Sequence, residues 1–340
     1  MKRYFVAAAA VALIVFLYLW IRVDPRSQGE TVRASRQLMG STWTLEVVHE
    51  GKPAKAAAAM DAAFGEVERI EKLMSEWRAD SPISAVNAAA GKKPVLVPTE
   101  LRELLERSIR YGEKSEGAFD ITWRGMGRIW RFDEQFRLPT QQEVEKARKR
   151  VDYRLIQLEG DQVFLPVPDM AIGLGGIAAG YAVDRAAAVL QKAGFGNFLL
   201  DGSGDILVRG ARRQRPWRVG IQHPRAERGV LVGSVTLSDE ALATSGDYER
   251  FKIVDGVRYH HIIDPRTGWP ARGAISVTVI AKSAEQADAL STAMFVLGPE
   301  KALQLAASEQ VDLLLIDEQF QQHMTEGFRQ RFLPEKGVSP

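Results

Sequence analysis

The chain has 340 residues, 46% apolar and 26% charged, an ordinary balance for a globular protein and more than one small core requires. It contains no cysteine, which excludes disulfides, zinc thiolate centres and thiol nucleophiles. Four basic and one acidic side chain fall in the first 26 residues, so the +2 of the whole chain becomes −1 for the body, and nothing in that balance argues for nucleic acid.

Lys2 and Arg3 precede an uncharged, mostly apolar run of 18 residues, 4–21, closed by Arg22. A signal-peptide core is usually about 7–15 residues long, and a membrane-spanning helix needs about 17–25. No small-x-small cleavage site follows the run. Residues 1–26 therefore read as an uncleaved membrane anchor, with a cleaved signal as the alternative. The two leading cations put the N-terminus inside and the body on the periplasmic side of a bacterial inner membrane. Residues 27–37 are polar and read as a tether, leaving 38–335 as the folded domain.

Trp43, Leu45 and Val47 alternate through residues 42–48, the pattern of a strand. Met60, Phe64, Val67, Ile70 and Met74 recur every three or four positions, which predicts a helix over 54–75. A second helix over 100–114 is opened by Pro98-Thr99 and followed by Gly117. Thr140 with Glu143 forms a capping box for a third, to about residue 150. Residues 154–158 and 162–166 flank a turn and predict a hairpin. A glycine cluster, Gly173-Leu-Gly175-Gly176, leads into a helix over 177–192. Strands are expected at 197–200, 206–208, 217–221, 230–237, 250–254, 258–263, 275–280 and 311–316, and Ser283 with Gln286 caps a helix to about 296. The irregular mixture of strands and helices predicts an α+β fold.

Gly173-x-Gly175-x-x-Ala178 before a helix satisfies a loose dinucleotide fingerprint, with Asp201 in the place of a ribose-binding acid. Against a Rossmann domain, the preceding strand can only be residues 169–172, and no strand–helix units repeat around it. Asp288, Ser291 and Thr292 stand at i, i+3 and i+4 on the capped helix, which puts hard oxygen donors suited to Mg²⁺ on one face; taken alone, the trio fits an ordinary polar helix face better. His260 and His261 point to opposite faces of their strand, so only one can enter a given site. Residues 209–218 carry five arginines and read as a solvated loop.

Nine segments together resemble the FAD:protein FMN transferases, the ApbE family. They are Met39-Gly-Ser-Thr, Met74-Ser-Glu-Trp77, Ser84-x-x-Asn87, Gly117-Ala-Phe-Asp120-Ile-Thr122, Gly175-Gly-Ile-Ala-Ala-Gly-Tyr-Ala-Val-Asp184, Asp201-Gly-Ser-Gly-Asp205, Ala243-Thr-Ser-Gly-Asp-Tyr248, His261-Ile-Ile-Asp-Pro-Arg-Thr-Gly268 and Ala287-Asp288-x-x-Ser-Thr292. Each is weak alone; nine in the family's order are specific. The resemblance implies an α+β fold of two lobes with FAD in the cleft between them and Mg²⁺ on its pyrophosphate. It places Met39, Trp77, Ala118, Phe119, Asp120, Gly173, Ala179 and Ile262 at the FAD. It gives the metal to the Gly176 carbonyl, the Asp288 carboxylate and the Thr292 hydroxyl, with Ser291 beside them. His261 becomes the candidate base.

The implied reaction moves FMN from FAD to a threonine hydroxyl of an acceptor protein, releasing AMP, and the expected acceptor is an envelope electron-transfer subunit. A non-catalytic envelope FAD-binding protein and an Mg²⁺-dependent FAD pyrophosphatase are the alternatives. The chain departs from the family's pattern at Gly173, where an acidic residue is usual, and at Ala179, where a charged residue is, so FAD binding is the firmer expectation and catalysis the weaker one. Trp77, where tyrosine is common, keeps an aromatic face.

Overall fold

The computed structural model describes residues 29–212 and 214–335. Its centre is one antiparallel sheet of eight strands: β1 (Glu30–Leu38), β2 (Ser41–His49), β3 (Phe198–Gly202), β4 (Ile206–Arg209), β5 (Ala241–Gly246), β6 (Ser276–Ala281), β7 (Asp312–Ile316) and β8 (Gln322–Met324). Their order across the sheet is their order along the chain. Every neighbouring pair is antiparallel, which rules out the Rossmann reading and establishes the α+β class.

The connections between these strands carry the rest of the molecule. Between β2 and β3 lie five helices: α1 (Pro53–Met74), α2 (Pro82–Ala88), α3 (Thr99–Lys114), α4 (Gln141–Arg148) and α5 (Ala178–Lys192). Between β4 and β5 run two strands, Trp217–Gln222 and Leu231–Leu237, which form a second small sheet with Phe332–Pro334. Between β5 and β6 stands the hairpin Phe251–Val254 and Val257–His260. α6 (Ala284–Leu297) and α7 (Pro299–Glu309) join β6 to β7, and α8 (Glu326–Arg331) follows β8.

Alternation along the strands splits the core in two. In β7, Leu313 and Leu315 face the helices, while Leu314 and Ile316 face the small sheet. The expected two lobes are the sheet with α6 and α7, and the helical insertion; one continuous apolar core runs through both.

Residues 27–37 are not a tether throughout: from Glu30 they form β1. It pairs along its whole length with β2, and Met39-Gly40 makes a two-residue turn with φ of 49° and 74° at its two positions. β1 is an edge strand with mostly exposed polar side chains, which explains its resemblance to a linker. The apolar run at residues 4–21 lies outside the described residues. Among the described residues, no helix is long and apolar enough to cross a membrane.

Candidate active site

The glycine cluster is anchored without a preceding strand. Asn87 takes over the strand's role: its Nδ2 donates to Ile172 O at 2.8 Å and its Oδ1 accepts Ile172 N–H at 2.7 Å. One residue on, Gly173 N–H donates to Ile121 O at 2.8 Å, and Gly173 O accepts the Trp123 indole N–H at 3.1 Å. A Cβ on Gly173 would lie 3.1 Å from both the Trp123 ring and Arg124 Cβ. The short 3₁₀ helix Ile121–Met126 therefore docks tightly on Gly173, where a Cβ would require Trp123 or Arg124 to give way by a few tenths of an ångström. A Cβ on Gly175 would meet open space, and one on Gly176 would lie 3.1 Å from Thr292 Oγ1 and 3.3 Å from the Phe119 ring. α5 starts directly after: its N-cap residue Ile177 makes no side-chain capping bond, and its Ala178 N–H donates to Leu174 O at 2.8 Å.

α5 and α6 cross at Gly180. Its N–H donates to Asp288 Oδ2 at 3.1 Å. Asp184, one turn on, accepts Ala284 and Glu285 N–H, each at 2.9 Å, and so holds the start of α6. The Asp288 carboxyl is buried, and burial pushes it up to about 7; the Gly180 N–H opposes the rise and the Glu285 charge adds to it. Asp205 is raised too, by burial first and then by the charges of Asp288, Asp201 and Asp184. Ser291 Oγ donates to Asp288 O at 2.9 Å and lies 2.8 Å from Ser245 Oγ on β5, which is 3.3 Å from Thr292 Oγ1.

Among the described residues no group of three or more His, Asp or Glu side chains forms a metal cage. The donors here are instead one buried carboxylate, hydroxyls and the backbone at Gly176. Such a set suits a hard cation shared with a substrate's phosphate oxygens.

Ala118 and Phe119 are buried, with the Phe119 ring edge-on to Tyr111 at 6.2 Å. Asp120 holds neighbouring backbone in place. Its carboxylate accepts Thr122 N–H at 2.7 Å, the Thr122 hydroxyl at 2.6 Å and Tyr153 N–H at 3.0 Å. Trp77 is 69% exposed, with the Arg124 guanidinium 4.2 Å from its ring centroid. Met39 occupies the β1–β2 turn, where its N–H donates to Glu71 Oε2 at 2.9 Å. Ala179 lies in the first turn of α5, and Ile262 is buried, its carbonyl accepting Ala271 N–H.

The two histidines separate as alternation demands. His260 is buried and satisfied, with Nε2 2.9 Å from Ala271 O and the ring edge-on to Phe295. His261 keeps a buried Nδ1 with no hydrogen-bond partner. Burial, then the nearby Arg250 charge and His260, lowers it to about 4, so it is neutral and able to accept a proton at neutral pH.

The structure thus brings Phe119, Gly176, Asp288, Ser291 and Thr292 together, and it connects Trp77 to Gly173 through Arg124. Sequence reasoning missed Ser245, Glu76, Arg124 and Arg250. Ser245 and Glu76 stood inside quoted motifs; the two arginines had no signal. The arginines of residues 209–218 do not form a wholly solvated loop. Arg212, Arg215 and Arg218 line a cavity of about 690 Å³ with Arg33, Glu46 and Asp201, by the strands β1–β3 and the small sheet.

The chain is similar to known proteins over most of its length. The model of the ApbE family matches residues 39–315. The chain is 30% identical to the FAD:protein FMN transferase of Vibrio cholerae serotype O1, over 97% of this chain and 98% of that one. It is 36% identical to the protein of the same name from Treponema pallidum, over 84% and 82%. The crystal structure of the ApbE protein from Thermotoga maritima superposes with a TM-score of 0.82 at 32% identity, covering 89% of this chain and 99% of that one. Flavin transferase ApbE from Vibrio cholerae gives 0.81 at 31%, with the same coverage. With a family model spanning most of its length and its fold shared with solved members, this chain belongs to the ApbE family.

Proposed function

We propose that the protein is an FAD:protein FMN transferase, moving FMN from FAD to a threonine hydroxyl of an acceptor protein and releasing AMP. The observation that carries this reading is the meeting of the Gly176 backbone with Thr292 Oγ1 and of Gly180 N–H with the buried Asp288. Hard oxygen donors for a cation converge there, beside the glycine cluster. Asp288, Thr292 and the Gly176 carbonyl would hold Mg²⁺, with Ser291 adjoining; a bound metal neutralises pyrophosphate charge. The exposed Trp77 would offer an aromatic face to the flavin or adenine, and Met39, Ala118, Phe119, Asp120, Gly173, Ala179 and Ile262 would contribute chiefly through their backbone.

The chemistry asked of this chain is modest. His261 accepts the proton of the acceptor hydroxyl. The hydroxyl oxygen forms a bond to the FMN phosphorus as the bond from that phosphorus to the AMP oxygen breaks. AMP leaves with the bonding pair. Positioning and electrostatics supply most of the acceleration.

The test mixes the full-length protein with FAD, Mg²⁺ and an acceptor domain of an envelope electron-transfer protein and follows in-gel flavin fluorescence together with AMP release. Fluorescence on the acceptor band supports the transferase. AMP and free FMN with an unlabelled acceptor would identify a pyrophosphatase, and FAD binding without AMP a flavin-binding protein. For location, we propose attachment to the bacterial inner membrane through residues 1–26 with the body in the periplasm, supported by the charge and length of that segment.

A further inference from the structure

The arginine-rich run 209–218 has no part in the roles above, yet three of its arginines frame the cavity of about 690 Å³. That cavity lies on the other face of the central sheet from α5 and α6. In β3, Phe198 and Leu200 pack with the helices, Leu199 packs toward the small sheet, and Asp201 follows Leu199 by the same alternation. Strand register lays out the floor in two rows, Arg33 with Glu46 and Leu199 in one, Thr44 with Asp201 in the next. Trp217 forms a fixed wall, its indole N–H donating to Arg209 O at 3.0 Å. Arg212 and Arg215 are paired directly opposite each other, N–H to O at 2.9 and 3.0 Å, which brings two like charges to one side of a tight turn.

The lining sets four guanidinium groups against two carboxylates. Both carboxylates already have partners: Arg212 Nε lies 2.6 Å from Glu46 Oε1, and Asp201 Oδ1 accepts Gly204 N–H at 2.9 Å. Arg218 is oriented through its Nε, which donates to Ser234 Oγ at 2.7 Å and leaves the two terminal amino groups for other work. Among the described residues Arg33, Arg215 and Arg218 form no ion pair. Charges of one sign around a concavity with low-dielectric walls focus their field into it, so this space attracts an anion. Planar guanidinium forks match phosphate oxygens. The volume falls in the range of about 300–1,000 Å³ typical of small-molecule sites, more than a bare phosphate fills. The carboxylate floor would repel a second anionic group and accepts hydroxyls instead.

We propose that this cavity is a second ligand site, for a small organic phosphate that carries hydroxyl groups. Arg33, Arg215 and Arg218 hold the phosphoryl group, Glu46 and Asp201 accept the hydroxyls, and the carbon frame rests on Leu199 and Trp217. The site does not depend on the FAD reading, since no residue of the α5–α6 crossing lines it. Two sources offer this chemistry, a soluble phosphate ester and the glycerol phosphate headgroup of a lipid. Both can reach the cavity, because β1 begins at Glu30, four residues after the proposed membrane segment 1–26.

The test titrates the full-length protein, in an uncharged detergent, with glycerol 3-phosphate, inorganic phosphate, glycerol and the short-chain lipid dihexanoylphosphatidylglycerol. Glycerol 3-phosphate should bind at one saturable site and more tightly than inorganic phosphate, and glycerol should not bind. Arg33→Gln and Arg215→Gln change exposed side chains on separate segments. Each should weaken glycerol 3-phosphate about threefold to tenfold, the range for charge-assisted bonds that solvent partly screens. Melting temperature and FAD affinity should stay unchanged, and Arg215→Lys should recover part of the loss. If the short-chain lipid binds more tightly than glycerol 3-phosphate through the same arginines, the occupant is a headgroup; if more weakly, it is a soluble ester; either result supports the site. Wild-type protein without saturable binding overturns it, and so does unchanged affinity in both Gln variants. A parallel loss of FAD affinity would show that the phosphate is read at the glycine cluster, which also overturns it. Inorganic phosphate binding as tightly as glycerol 3-phosphate overturns the role given to Glu46 and Asp201.

Discussion

Gly180 and Asp288 meet where α5 crosses α6. The Gly180 N–H reaches Asp288 Oδ2 at 3.1 Å, and a Cβ on Gly180 would lie 2.8 Å from Asp288 Cβ and 2.3 Å from Ala284 O. The second partner is backbone and cannot swing aside. Gly180→Ala should therefore force the helices apart and cost about 1–3 kcal/mol in chemical denaturation. Gly175→Ala, directed into open space, should stay within about 0.5 kcal/mol of wild type. Equal effects of the two would show that the crossing relaxes freely.

Asp288→Asn keeps the shape of the side chain and removes the one charged donor of the proposed cation site. AMP release stimulated by Mg²⁺ should disappear, and so should any rise in melting temperature that Mg²⁺ gives the wild type. The fold should survive, because Asn can still accept the Gly180 N–H. An unaltered Mg²⁺ response would mean that Asp288, Ser291 and Thr292 are an ordinary helix face.

His261 lies below its ordinary value of 6.5, at about 4, chiefly through burial. A base of this kind is neutral throughout the physiological range, so kcat/KM should be flat from pH 8 down to about 5 as far as this group is concerned. A limb near 6.5 would point to a solvated histidine instead. His261→Gln should lower the rate by about 10²–10⁴ while leaving FAD affinity within twofold.

The same group couples to stability. Its folded-state value is depressed, so the unfolded chain binds its proton more readily between about 6.5 and 4. The stabilisation is complete above 6.5 and is lost as pH falls through that interval. Wild type should lose at most about 2 kcal/mol more than His261→Gln between pH 7.5 and 5, measured by urea unfolding.

Restoring the acidic side chain at position 173 should fail. Gly173 is not among the glycines with positive φ, so backbone conformation is not the obstacle. The obstacle is the Trp123 ring and Arg124 Cβ, each 3.1 Å from where a Cβ would lie. Gly173→Asp should raise the KM for FAD, with a smaller effect on kcat. A lower KM would show that Trp123 yields readily.

The membrane reading has its own test. Alkaline phosphatase fused after Arg26 should be active if the body faces the periplasm. An inactive fusion, with an active cytoplasmic reporter at the same junction, would refute it.

What the sequence determined by itself is local. Period-2 and period-3.6 apolar patterns placed β2, α1 and α3 within a residue or two, because burial on one face writes itself directly into residue order. The Thr140–Glu143 capping box is fully formed, with both reciprocal bonds present. α2 and α7, which start at Ser81-Pro82 and Gly298-Pro299, were not predicted. β1 was not legible, since an edge strand facing solvent has the composition of a linker.

The motif residues Asp288, Ser291, Thr292 and His261 were visible as types and spacings, but their partners were not. Asn87 replaces a strand before the glycine cluster from 85 residues away. Asp120 and Asp184 spend their carboxylates on backbone N–H groups of other segments. Arg124 covers the Trp77 ring across a long stretch of chain. Charge, burial and hydrogen-bond satisfaction depend on what approaches across the fold, and order along one chain does not encode that approach in any local pattern.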